Sequence, residues 1–236
     1  MNISESADRQ KLLILTLATL LLLIVVFSAS VFADDDRFVP LDKSKVPMTG
    51  RTTADFVPAG WKVEAQADGD LNGDSSGDSI LTLIELKPAA DKMPARAVVV
   101  LLSNADGSLK NAGVGNRLVR CDGCGNSMED VEIKINKGVI NVEQEWGNSA
   151  SQGGNSVMRF RYDKSSAKFL LIGADFFDHG GFSQKISSES SNYLTGERKT
   201  VKAGRREIVT KFKPETLSMD DVDWDALEEA AFERIG

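Results

Sequence analysis

Residues 131–146 read VEIKINKGVINVEQEW. Val131, Ile133 and Ile135 alternate with Glu132, Lys134 and Asn136, the two-residue period of a strand with one buried face. Lys137-Gly138 supplies a tight turn, and Ile140, Val142 and Trp146 then share one face of a returning strand. Two such runs around a two-residue turn predict an antiparallel β-hairpin. Downstream, a Gly/Asn/Ser loop over 147–155 leads to a second hairpin. There Met158, Phe160 and Tyr162 face one way and Arg159 and Arg161 the other, and residues 168–177 return as a long apolar strand. Residues 192–201 predict a late strand pair. Upstream, strands are expected at 61–67, 80–86, 97–102 and 109–119, the last entered through Ala105-Asp106-Gly107. The runs at 80–86 and 97–102 are apolar on both faces, so they read as central strands covered from both sides.

Helical period is missing from residues 60–210 and returns near the end. Ser218 offers a cap, Asp220 and Asp221 suit a first turn, and Trp224, Leu227, Ala231 and Phe232 form one face. The expected fold is therefore all-β, with antiparallel sheets of about eight to ten strands and a short C-terminal helix. The expected organisation is an export segment at 1–33, a proline-containing linker at 34–58, a β-domain at 59–212 and an acidic tail with the helix at 213–236.

The first 33 residues read as a secretory signal. Arg9 and Lys11 precede a Leu-rich run over 12–27, small and apolar residues follow to Ala33, and Asp34, Asp35 and Asp36 come next. Cleavage is expected after Ala33. The alternative is an uncut inner-membrane anchor, since 12–33 carry no charge and span about 33 Å as a helix. Either way the chain is expected outside the cytoplasm, periplasmic or secreted, and at a membrane only if the segment stays uncleaved.

The whole chain of 236 residues has a net charge of −7. That balance argues against nucleic acid as a partner, because phosphate recognition needs a basic face. It argues in the same way against anionic lipid. A protein or envelope component is the expected partner class.

Residues 68–78 read DGDLNGDSSGD. Counting Asp70 as position one, Asp70, Asn72, Asp74 and Asp78 put side-chain oxygens at positions one, three, five and nine, with the Ser76 carbonyl at seven. Ca²⁺ takes hard oxygens, and this is the spacing with which a turning loop wraps it. Gly73 and Gly77 are expected to supply the backbone freedom such a turn needs. Position twelve is Leu81 rather than Glu, and the flanks read as strands, so an EF-hand is not expected. The segment Gly69-Asp70-Leu71-Asn72-Gly73-Asp74, with Asp78 and the run at 80–86, resembles the strand-joining loops of FG-GAP or VCBS-type repeats. That resemblance implies a calcium site between two strands of a blade-like hairpin. Ser75 departs from the glycine such loops prefer. Because the motif occurs once, one blade-like unit inside another β-domain is expected rather than a closed propeller. With Cys121 to Gly125 and Asn192 to Gly196, the chain also resembles a broad group of exported bacterial proteins, a likeness that implies no particular activity.

Cys121 and Cys124 stand in Cys-Asp-Gly-Cys. In an oxidising compartment a local disulfide across a turn is the favoured reading. A redox motif wants its first Cys at a helix N-terminus, and a zinc site wants two further ligands. His179, the single histidine, lies in Asp-His-Gly-Gly with no nucleophile motif beside it. No catalytic set is assigned. The expectation is an exported, calcium-stabilised β-domain acting as a non-catalytic binding or envelope-associated module. The alternative is a periplasmic hydrolase or thiol-redox enzyme whose site is assembled from distant residues.

Overall fold

Alternation of apolar and polar side chains decides which face of each strand is buried, and two sheets result. The computed structural model describes residues 37–121, 130–147, 153–180 and 185–236, all within one unit, Arg37–Gly236. The strands are β1 (Thr49–Gly50), β2 (Trp61–Gly69), β3 (Asp78–Glu85), β4 (Arg96–Ser103), β5 (Leu109–Gly115) and β6 (Asp130–Asn136). They continue with β7 (Val139–Gly147), β8 (Gly153–Asp163), β9 (Lys168–Asp178), β10 (Ser187–Asn192), β11 (Glu197–Val201) and β12 (Ile208–Lys211). One sheet has the order β1-β5-β4-β3-β2 and the other β12-β11-β10-β9-β8-β7-β6. Every pairing is antiparallel.

The class is all-β as expected, but the strands among the described residues number twelve, above the eight to ten read from the sequence. The excess comes from short edge strands. β1 has two residues and β12 four, all four exposed, so neither carries a burial pattern to detect.

The hairpin predicted by the alternation over 131–146 is β6–β7, in the register Asn136↔Val139 to Asp130↔Glu145. Ile140 and Val142 of β7, Met158 and Phe160 of β8, and Phe169, Leu171, Ala174 and Phe176 of β9 form the inner face of the seven-stranded sheet. Ile80, Val98, Val100 and Leu102 meet them from the five-stranded sheet. The alternate residues of β3 and β4 (Leu81, Leu83, Ala97, Val99 and Leu101) face the other way into a second core. The two central strands are therefore covered on both faces, as their double-sided apolar runs predict.

The cover on the second face is the stretch read as a linker. Leu41, Val46 and Phe56 are buried there, and two 3-10 turns, Lys43–Lys45 and Thr53–Phe56, carry the chain across the sheet. Asp55 closes the second turn by accepting from the Thr52 N–H. Three prolines and an acidic start hid three widely spaced apolar anchors. Burying such side chains contributes about 1.5–3 kcal/mol each, so this layer is part of the fold.

The C-terminal helix α1 (Trp224–Ile235) buries Trp224 and Ala231, with Leu227 and Phe232 half-buried against the same core, the face read from the sequence. Its cap is Asp223, whose side chain accepts from the Ala226 N–H. Ser218 instead precedes a separate 3-10 turn, Met219–Asp221. Trp224 donates to Ser156 Oγ at 2.8 Å and stacks edge-on against Trp146. No helix of the described residues is long and apolar enough to cross a membrane, and residues 12–33 lie outside them.

Candidate functional site

The acidic loop joins β2 to β3 at the edge where the two sheets meet. Its winding follows from short oxygen side chains placed two apart, which accept hydrogen bonds from backbone N–H groups a few residues on. Asp70 accepts from Gly73 at 2.7 Å and from Ser75 at 3.0 Å. Asn72 accepts from the Asp74 N–H at 2.9 Å and donates to the Asp74 carboxylate at 2.9 Å. Asp74 accepts from the Ser76 N–H at 2.7 Å. Asp74 is fully exposed, and these bonds, from the Ser76 N–H foremost, hold its carboxyl below the usual range.

Asp78 plays a different part. It opens β3 and is completely buried. One oxygen accepts from the Leu71 N–H at 2.8 Å and the other from the Ser103 N–H at 2.9 Å. Burial pushes its pKa up, against the pull of those two bonds, and the neighbouring Asp74 and Asp70 charges push the same way. Asp78 thus clasps both ends of the loop to β4. Leu71, buried in the inter-sheet core, pins the loop from within. The Ser103 hydroxyl also donates to the Gly77 carbonyl. From the other sheet, the β6–β7 turn lies alongside: a Cβ on Gly138 would sit 3.7 Å from the Asp70 and Leu71 carbonyls.

Gly73 takes the left-handed conformation expected of it, with φ +77°. Gly77 does not, and Ser75 takes the second such position with φ 70°. The second left-handed residue is therefore the one at which the sequence departs from the calcium-loop pattern.

The structure brings Asp70, Asn72, Asp74 and Ser76 into one exposed turn and sets Asp78 beneath it. Each carboxylate oxygen has more than one lone pair, so bonding to an N–H leaves it able to meet a cation. Among the described residues, no three or more His, Cys, Asp or Glu side chains form a preassembled metal cage. Ser103 and Leu71, which support the loop, escaped the sequence reading. Ser103 lies 25 residues from its partner Asp78, and nothing in the spacing marks it.

Cys121 is buried just past the core residues Leu118 and Val119. Cys124 lies outside the described residues. His179 is exposed after β9, and its Nε2 lies 2.9 Å from Asn155 Oδ1, an amide rather than a carboxylate or hydroxyl. Trp224 is a core residue, and Trp61 and Trp146 are half-buried at core edges. Comparisons with protein-family models, with curated proteins and with solved structures found no match.

Proposed function

We propose that this chain is an exported, non-catalytic β-sandwich module that binds an envelope component and is stabilised by Ca²⁺ at the β2–β3 loop. One observation carries the reading. Asp70, Asn72 and Asp74 share a single exposed turn whose backbone N–H groups already orient their oxygens. Ca²⁺ would be held by these side chains and the Ser76 carbonyl. Asp78, the remaining member of the set, ties the loop to β4 through Leu71 and Ser103 and adds its charge from below. Three carboxylates within nine residues repel one another, and a divalent cation removes that repulsion.

Export rests on the apolar run at 12–33 behind Arg9 and Lys11, with cleavage after Ala33 or retention as an anchor. Extracytoplasmic calcium levels suit a site built from few ligands. The same compartment favours a Cys121–Cys124 disulfide, which would fix the chain just past the buried Val119 and Cys121.

The reading is tested by affinity capture from envelope extract, using the chain from Asp34 onward as bait with Ca²⁺ or with chelator. An envelope component retained with Ca²⁺ and lost with chelator is the expected result. Turnover of a carbohydrate, ester or disulfide substrate that survives chelation would overturn it in favour of an enzyme.

A further inference from the structure

The net charge of −7 is not spread evenly. At one end of the seven-stranded sheet, Lys185 and Ile186 lead into β10, and the turn from Lys202 to Glu207 joins β11 to Ile208 of β12. These segments are neighbours in space. The pairing Ser188↔Val201 puts them at the same end, the Ala203 N–H donates to Ser187 Oγ at 3.1 Å, and a Cβ on Gly204 would lie 3.7 Å from Lys185 Cδ. Lys202, Arg205 and Arg206 are exposed in this turn beside Glu207, and Asp178 of β9 stands across from Ser187. Lys202 also donates to the Gly236 carbonyl at the end of α1. The ion pairs of this half of the sheet occupy Arg198, Arg234 and Lys211, and among the described residues none includes Arg205 or Arg206. Two large aliphatic side chains flank the cations, Ile186 and Ile208, each 55% exposed.

We propose that this end of the sheet docks onto an anionic phospholipid surface; the proposal builds on the envelope-associated reading above and names its partner. Cations beside exposed aliphatic groups on a projecting turn match the headgroup zone. There phosphates meet Lys and Arg while isoleucine reaches the acyl boundary. The acidic remainder of the molecule is repelled by the same surface, which orients this end toward it.

The test is co-sedimentation of the chain from Asp34 onward, which retains the whole Arg37–Gly236 unit and both cores. Vesicles of mixed phosphatidylglycerol and phosphatidylcholine are compared with phosphatidylcholine alone. Binding to the anionic vesicles only, weakened by salt, is expected. Arg205→Glu with Arg206→Glu should weaken it at least about tenfold, from the roughly fivefold carried by each cation near an anionic surface. Ile186→Ser with Ile208→Ser should weaken it while leaving the salt dependence in place. All four side chains are exposed, so unchanged melting curves certify the variants. Equal binding to both vesicle types, no binding, or full binding by the arginine double variant would each overturn the proposal. A failure here with calcium-dependent capture intact refutes the docking surface alone; loss of that capture refutes the wider reading.

Discussion

Ser75 holds a left-handed backbone that costs a non-glycine residue about 1–2 kcal/mol. Its N–H is committed to Asp70, a bond that glycine at this position would keep. Ser75→Gly should therefore raise stability by about 0.5–1 kcal/mol, after allowing for the greater freedom of glycine in the unfolded chain. A rise of about 2 °C in Tm by differential scanning calorimetry checks it. A second residue-scale expectation concerns Asp163 in the β8–β9 turn, which accepts from Ser165 and Ser166 side chains and the Ser166 N–H. These bonds, the Ser165 hydroxyl first, pull its pKa down to about 2. A lowered carboxylate pKa means that the turn's stabilisation is full above the unfolded value near 3.8 and fades as pH falls toward about 2. A ¹³C-NMR titration of its carboxyl carbon should place the midpoint near 2. At this scale the sequence showed which oxygens would gather but not what each would do. Asp78 is spaced like a ligand, and only its long-range bond to Ser103 shows it acting as a clasp.

Among the elements, β10 carries the least expected face. Ser187, Glu189 and Ser191 point inward and are buried where β7, β8 and β9 present aliphatic and aromatic groups. Arg234 of α1 meets both Glu189 oxygens, at 2.5 and 2.7 Å, and Arg198 of β11 stands 3.2 Å away. The pairing raises the Arg234 pKa further above its ordinary value, chiefly through the Glu189 hydrogen bond. Removing the buried carboxylate leaves two half-buried cations without their shared partner. Glu189→Ala should thus cost about 3 kcal/mol in urea unfolding. By contrast, Glu132→Ala, whose Lys134 partner is exposed and also bonded to Glu143, should cost under about 1 kcal/mol. Strands with a strict period and a turn were legible in advance, the β6–β7 and β8–β9 hairpins above all. β10 lies upstream of the late pair expected at 192–201 and shares only Asn192 with it, because serines and a glutamate carry no apolar signal. Its burial comes from α1 lying across it, a contact between residues far apart in the chain.

For the whole molecule, two features decide its character. The five-stranded sheet has two covers, and the one made by residues 37–58 makes the sandwich a three-layered body on that side. The apolar doubling of β3 and β4 announced that a second cover existed, but not that the proline-rich segment before the first long strand would provide it. Charge is segregated too: the acidic loop lies at the junction of the sheets, and the basic turn lies at one end of β10, β11 and β12. A single net charge concealed that division. If the β2–β3 loop holds Ca²⁺ and thereby stabilises this body, thermal unfolding of the chain from Asp34 onward, with Ca²⁺ or with chelator, reads it out. Saturation a hundredfold above Kd adds about 2.7 kcal/mol. A Tm rise of about 5–10 °C is expected, abolished in Asp74→Ala. Superimposable curves with and without Ca²⁺ would rule out a stabilising calcium site in this loop.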